Sequence, residues 1–142
     1  MELILDASVL FTAIIGTGVT KDIMFSTEVR LYAPEYLFEE LAEHRARIEK
    51  LSGLTAKDFD SLLEKLELVI KPVPKERFEG FLKEAHKIIS AEDDTEYVAL
   101  SLSMNKIPVW SNDMHFKKQS AIKVFNTAEL VLHLKSSGIS LW

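Results

Sequence analysis

The chain has 142 residues, 47% of them apolar and 27% charged, with a net charge of −5 and no cysteine. This is the balance of a globular domain long enough to enclose a core, and it excludes disulfides and thiolate metal sites. It also supplies no broadly basic face for electrostatic adhesion to nucleic acid.

The N-terminal MELILDASVL lacks a basic lead and carries acids at Glu2 and Asp6, so no secretory signal is read there. No apolar run approaches the roughly 18–20 residues of a membrane span, and a cytoplasmic protein is expected. Residues 3–6, LILD, read as a buried strand ending in Asp6. ASVLFTAII follows with helical spacing until Gly16 and Gly18 interrupt it, and KDIMFS (21–26) is a second helical piece. VRLYA (29–33) alternates like a strand. Pro34 suits the first turn of a helix running through EYLFEELAEHRARIEKL, with Leu37, Leu41, His44 and Ile48 on one face.

After Gly53, TAKDFDSLLEKL opens with a Thr-x-x-Asp capping pattern and reads as a helix. LVIKPV (68–73) is the next strand. Residues 75–90 read as a helix with Phe78, Phe81, Leu82, Ala85 and Ile89 as its apolar stripe. The stretch SAEDDTEYVALSL (90–102) then sets three acids before a helix-prone run, with Ser90 and Asp93 in a capping pattern. IPVWS (107–111) and IKVFN (122–126) are strands, and TAELVLHLKS closes the chain as a helix. The alternation predicts one α/β domain over residues 1–142 with a mainly parallel sheet.

Ligands of such sheets bind beyond the carboxyl ends of the strands. Asp6 ends the first strand, Asp113 follows IPVWSN, Asp94 starts a helix, and Glu40 lies about two turns into the helix after the second strand. Each acid alone has a structural reading, as a cap, a turn former or a solvated helix residue. Their joint placement at one edge has no such explanation, because gathered carboxylates need a cation or must keep protons. Oxygen donors without cysteine suit Mg²⁺ or Mn²⁺ and metal-assisted phosphodiester hydrolysis.

These residues resemble the PIN-domain family, the ribonuclease fold also used by VapC-type toxins. The motifs run in order: LILDASVL with Asp6 and Ser8; FEEL, whose spacing from Pro34 favours Glu40 over Glu39; DTEYVALSL with Asp94 and Ala99; and SNDMHF with Ser111, Asp113 and Phe116. The resemblance implies a three-layer α/β/α sandwich and a metal-dependent endoribonuclease whose Asp6, Glu40, Asp94 and Asp113 hold Mg²⁺ or Mn²⁺, with Ser111 bonded to the site. It further implies an RNA substrate, a homodimer and, for a toxin-like member, an antitoxin. One departure stands out: where many members carry a further acid, this chain has His115. Asp93 is read as an accessory acid, and Ser8 and His115 as accessory residues.

Two rival readings stay open: a non-catalytic RNA- or protein-binding module, and a phosphohydrolase of small phosphate esters. The second lacks an Asp-x-Asp nucleophile pair or a Gly-rich phosphate loop. His44, four residues after Glu40, reads as an ordinary helix-face histidine, and Tyr97 reads as core. Lys117, Lys118 and Lys123, with Arg45 and Arg47, are the basic residues placed to touch an RNA backbone. Ile14, Ile15, Ile23, Met24, Phe25, Phe38 and the terminal Trp142 suggest an interface.

Overall fold

The apolar run behind Met1 forms the middle strand of a five-stranded, all-parallel sheet. A computed structural model describes residues 1–16 and 18–139, and Trp142 lies outside them. In chain order the strands are β1 (Glu2–Leu5), β2 (Arg30–Pro34), β3 (Ile70–Val73), β4 (Val109–Trp110) and β5 (Val124–Phe125), and across the sheet they run β3-β2-β1-β4-β5. Register is set by pairs such as Leu3 with Leu31, Ile4 with Val109, and Trp110 with Phe125. The chain builds one wing, β1 to β3, and then crosses back to β4 on the other side of β1. The reversal makes a crevice at the carboxyl ends of β1 and β4, the place where such sheets bind ligands.

Period-two alternation sends neighbouring side chains of β1 into different cores. Leu3 and Leu5 join the larger cluster, with Leu10 and Ile14 of α1 (Ala7–Ile15), Ile23 and Met24 of α2 (Val19–Met24), and Leu37 and Leu41 of α3 (Tyr36–Glu43). The same core takes Ile48 of α4 (Arg45–Ser52), Phe59 and Leu66 of α5 (Ala56–Val69), and Leu130 and Leu134 of α8 (Thr127–Ser136). Ile4 faces the smaller cluster, formed with Ala85 of α6 (Leu82–Ile88) and Tyr97, Val98 and Leu100 of α7 (Glu92–Ser103). Helices thus cover both faces, which is why the strands are mainly apolar, with charge confined to the exposed Glu2, Arg30 and Lys71. The fold is the expected PIN-like α/β/α sandwich.

Several local expectations need correction. Pro34 is the last residue of β2, not the first turn of a helix. The helix expected over 35–51 is two helices meeting at His44 (φ −98°, ψ 10°). The break lets Leu37, Leu41 and Ile48 all reach the core while His44 stays at the surface. Helix α5 runs through Val69, because Leu66 and Ile70 turn inward at helical spacing while Leu68 is left 86% exposed.

Residues 75–90 are not one helix. Two 3₁₀ turns, Lys75–Arg77 and Glu79–Phe81, precede α6. The irregular Phe78 between them (φ −125°, ψ −5°) is fully packed, whereas Phe81 remains at the surface. Strands β4 and β5 are two residues each, shorter than expected, and Pro108 before β4 has no N–H to lengthen the ladder. Of the apolar residues assigned to an interface, Ile14, Ile23 and Met24 are core and Phe38 is partly buried; Ile15 and Phe25 stay exposed.

Candidate metal centre

Asp6 follows β1 directly and caps α1, its Oδ1 accepting from the Val9 N–H at 3.2 Å and from the Ser8 hydroxyl at 2.7 Å. Its Oδ2 accepts from the Ser111 hydroxyl, which is itself fully buried just past β4. Ser111 Oγ in turn accepts from the Asp113 N–H at 3.0 Å. The two sides of the crevice are therefore laced together through a carboxylate and a serine, residues 105 positions apart in sequence. Asn112 faces away: its Oδ1 accepts from the N–H and hydroxyl of Thr127, at 3.0 and 3.1 Å, anchoring the start of α8.

Asp113 caps the 3₁₀ turn Met114–Lys118, accepting from the His115 N–H at 2.9 Å, with His115 Nδ1 3.0 Å from the same oxygen. Phe116 of that turn is buried beside Tyr97, so every residue of SNDMHF but the exposed Met114 has a structural role. Asp94 is the third residue of α7 and only 9% exposed. Ser90 does not cap this helix: its N-cap is Ala91, which supplies no side-chain bond. Glu40 reaches the cup from α3 and lines the cavity, whereas Glu39 is exposed.

Together Asp6, Ser8, Glu40, Asp93, Asp94 and Asp113 line one cup of about 170 Å³, with Tyr36 and Tyr97 in its wall. A larger groove of about 530 Å³ runs along β2 and β3, but it gathers no comparable set of acids. Electrostatics single out the cup. Burial, and then the charges of Asp113 and Asp6, push the Asp94 carboxyl up to about 6. Burial also raises Asp6 despite its three donors, and burial together with Asp93 raises Glu40. Carboxyls that hold their protons this strongly mark a deficit of positive charge.

The donor chemistry fits a divalent cation. Asp94, Asp113 and His115 each offer a ligand atom, all within 4.8 Å of one another, and the remaining donors are carboxylate oxygens. The cup also contains a buried hydroxyl, that of Tyr97, with no hydrogen-bond partner among the described residues. Sequence reasoning set Tyr97 aside as core. It is core by burial, and its spacing three residues after Asp94 was the available signal that it also faces the acids.

Other expected residues are committed elsewhere. Lys117 Nζ donates to the Val124 carbonyl at 3.0 Å and pairs with Glu129, and Lys123 lies over the Phe125 ring at 5.0 Å. Arg45 clamps Glu49 and Asp60 at 2.9 and 2.7 Å and covers Phe59. His44 and Arg47 line a separate apolar pocket with Phe11, Ile15, Ile48 and Leu51.

An acid-lined cup stands at the reversal point of a parallel α/β/α sheet. The family model of the PIN domain matches residues 4–135, and the chain belongs to the PIN-domain family. No curated protein matches the chain. Among the described residues no helix is long and apolar enough to cross a membrane.

Proposed function

We propose that this chain, acting as one PIN-like unit over residues 1–142, is a divalent-metal-dependent endoribonuclease using Mg²⁺ or Mn²⁺. The observation that carries the reading is the convergence of Asp6, Glu40, Asp94 and Asp113 from four separate segments onto one cup, with burial and mutual repulsion raising the Asp94 carboxyl. When bound, the cation supplies Lewis-acid activation of water and neutralises charge developing on the phosphate. Asp94, Asp113 and His115 are assigned as its nearest ligands, with Asp6 and Glu40 completing the negative wall. Ser8 and Ser111 hold the Asp6 carboxylate in one orientation, and Asp93 adds charge at the rim. The imidazole of His115 among oxygen donors favours Mn²⁺ over Mg²⁺.

The substrate is RNA on this reading, and the site of action is the cytoplasm. The narrower role, as the toxin of a VapBC-type pair with an antitoxin partner, rests on the resemblance. A homodimer likewise rests on the resemblance, with the exposed Ile15 and Leu51 as apolar residues open to it. The test is cleavage of a labelled mixed-sequence RNA with Mn²⁺, Mg²⁺ or EDTA, wild type beside Asp94→Asn. Metal-dependent cutting absent from the variant is the expected result. Equal trace activity in both proteins would sink the nuclease reading and favour a binding module.

A further inference from the structure

Tyr97 stands one turn beyond Asp94 on α7, and its ring packs edge-on against Tyr36 and Phe116, with centroids 5.9 and 6.4 Å away. The residue is 3% exposed. Its hydroxyl is the one buried side-chain polar atom among the described residues that lacks a hydrogen-bond partner. The neighbouring Tyr36 hydroxyl, by contrast, donates to the Asp93 carbonyl at 3.2 Å.

A buried hydroxyl with no partner destabilises the fold, whereas a phenylalanine in its place would fill the same volume without that cost. The ring packing therefore explains an aromatic residue here but not its oxygen. Tyr97 lines the same wall as Asp6, Glu40, Asp94 and Asp113. Burial, the charge and the hydroxyl of the adjacent Tyr36, and the charges of Asp6 and Glu40 hold the phenol well above its ordinary pKa, so it stays a donor. A donor set among the cup's carboxylates, with none of them in hydrogen-bond reach, is satisfied by an oxygen that comes from outside.

We propose that Tyr97 is a ligand-binding residue of the cup, its hydroxyl donating a hydrogen bond to an oxygen that enters with the ligand. That oxygen belongs to a water of the hydrated divalent cation or to a non-bridging position of the RNA phosphate. The inference rests on the nuclease reading of the same site and adds a buried neutral donor to a wall dominated by acids.

The experiment compares wild type with Tyr97→Phe in three measurements: melting in EDTA, Mn²⁺ binding by calorimetry, and steady-state cleavage of a labelled RNA oligonucleotide at saturating Mn²⁺. In EDTA the variant is expected to melt about 2–4 °C higher, since it loses only an unsatisfied group. If the partner is a water of the cation, Mn²⁺ affinity falls about 3–10-fold. If it is the phosphate, Mn²⁺ affinity holds and kcat/KM falls by a similar factor.

A lower melting temperature in EDTA would mean that the hydroxyl already has a structural partner, and would overturn the inference. Unchanged Mn²⁺ affinity together with unchanged kcat/KM would overturn it as well, while leaving a wild type that binds Mn²⁺ and cuts RNA as the nuclease proposed above. A wild type that neither binds Mn²⁺ nor cuts RNA would remove both readings at once.

Discussion

Asp94 and Glu129 hold the same position in two helices. Each is the third residue, three after the N-cap, where the positive end of the helix favours a carboxylate. Glu129 follows that expectation. It completes a capping box with Asn126, accepting from the Asn126 N–H at 3.0 Å, and it pairs with Lys117, so its carboxyl is pulled below its usual range. Asp94 goes the other way, up to about 6, because burial and the charges of Asp113 and Asp6 outweigh the helix end. The same local geometry thus serves two ends. The acid that caps α8 is given its partners by the chain, and the acid of the cup is surrounded by competitors instead.

The largest expected effect separates the two helix starts outright. Asp94→Asn should cut RNA cleavage by two orders of magnitude or more, roughly 3 kcal/mol of transition-state stabilisation. Without metal it should melt no lower than wild type, because the lost charge was unfavourable there. Asn126→Ala should do the reverse. Losing an N-cap costs about 1 kcal/mol, or about 2–4 °C in melting temperature, with kcat/KM unchanged. Paired melting curves and initial rates check both. A large loss of stability in Asp94→Asn would mean that this carboxylate is structural after all.

The pH dependence sharpens the contrast further. A carboxyl raised in the folded state contributes stability that is full below its unfolded pKa and is lost as pH rises through the folded value. For Asp94 that window runs from about 3.8 to about 6, and Asp6 and Glu40, both raised, add to it in the same direction. Glu129, lowered, has the opposite sign: its contribution is present above 4.5 and fades only at still lower pH. Metal-free protein should therefore melt higher near pH 5 than at pH 7, and Asp94→Asn should flatten much of that slope. Mn²⁺ affinity should fall below about pH 6, as protons compete for the same oxygens. A metal-free melting temperature that climbs steadily from pH 5 to 7 would contradict the crowding that defines the cup.

A smaller effect tests the departure at position 115. His115→Asp exchanges an imidazole for a carboxylate next to Asp113, and the ratio of Mn²⁺ to Mg²⁺ affinity should drop several-fold. Calorimetry with each ion reads it directly. An unchanged ratio would remove His115 from the ligand set, leaving the four acids.

How much of this was legible beforehand follows from how far each contact reaches along the chain. Asp6, Asp94 and Asp113 could be found because strand ends and helix starts are local patterns, and a parallel sheet brings those ends together whatever the details. Glu40 needed only the spacing from Pro34, even though Pro34 itself belongs to β2. The break at His44 escaped the reading because EYLFEELAEHRARIEKL is helical by propensity throughout. The backbone leaves the helical region only at His44 (φ −98°, ψ 10°), which keeps that histidine at the surface while Leu41 and Ile48 enter one core, a tertiary outcome that propensity does not carry. The missing partner of Tyr97 could not be read at all, since an absence of contact exists only once every neighbour is in place.

Lys117 carries the last and smallest prediction, because it stands between the two regions. Its position four residues after Asp113 puts it on the substrate side of a sequence reading. In the folded chain its ammonium instead spans to Glu129 and the Val124 carbonyl, closing the start of α8. The pair is partly exposed, at 37% and 42% of the two side chains, so solvent weakens it and its loss should cost under about 1 kcal/mol. Lys117→Met should accordingly lower the melting temperature slightly, more at low salt than at high, and leave the KM for RNA unchanged. A raised KM with unaltered melting would return Lys117 to the substrate and remove it from the start of α8. A small, salt-sensitive loss of stability alone would mean that the chain keeps the acid of α8 and the acids of the cup on separate partners, even though Lys117 lies only four residues from Asp113.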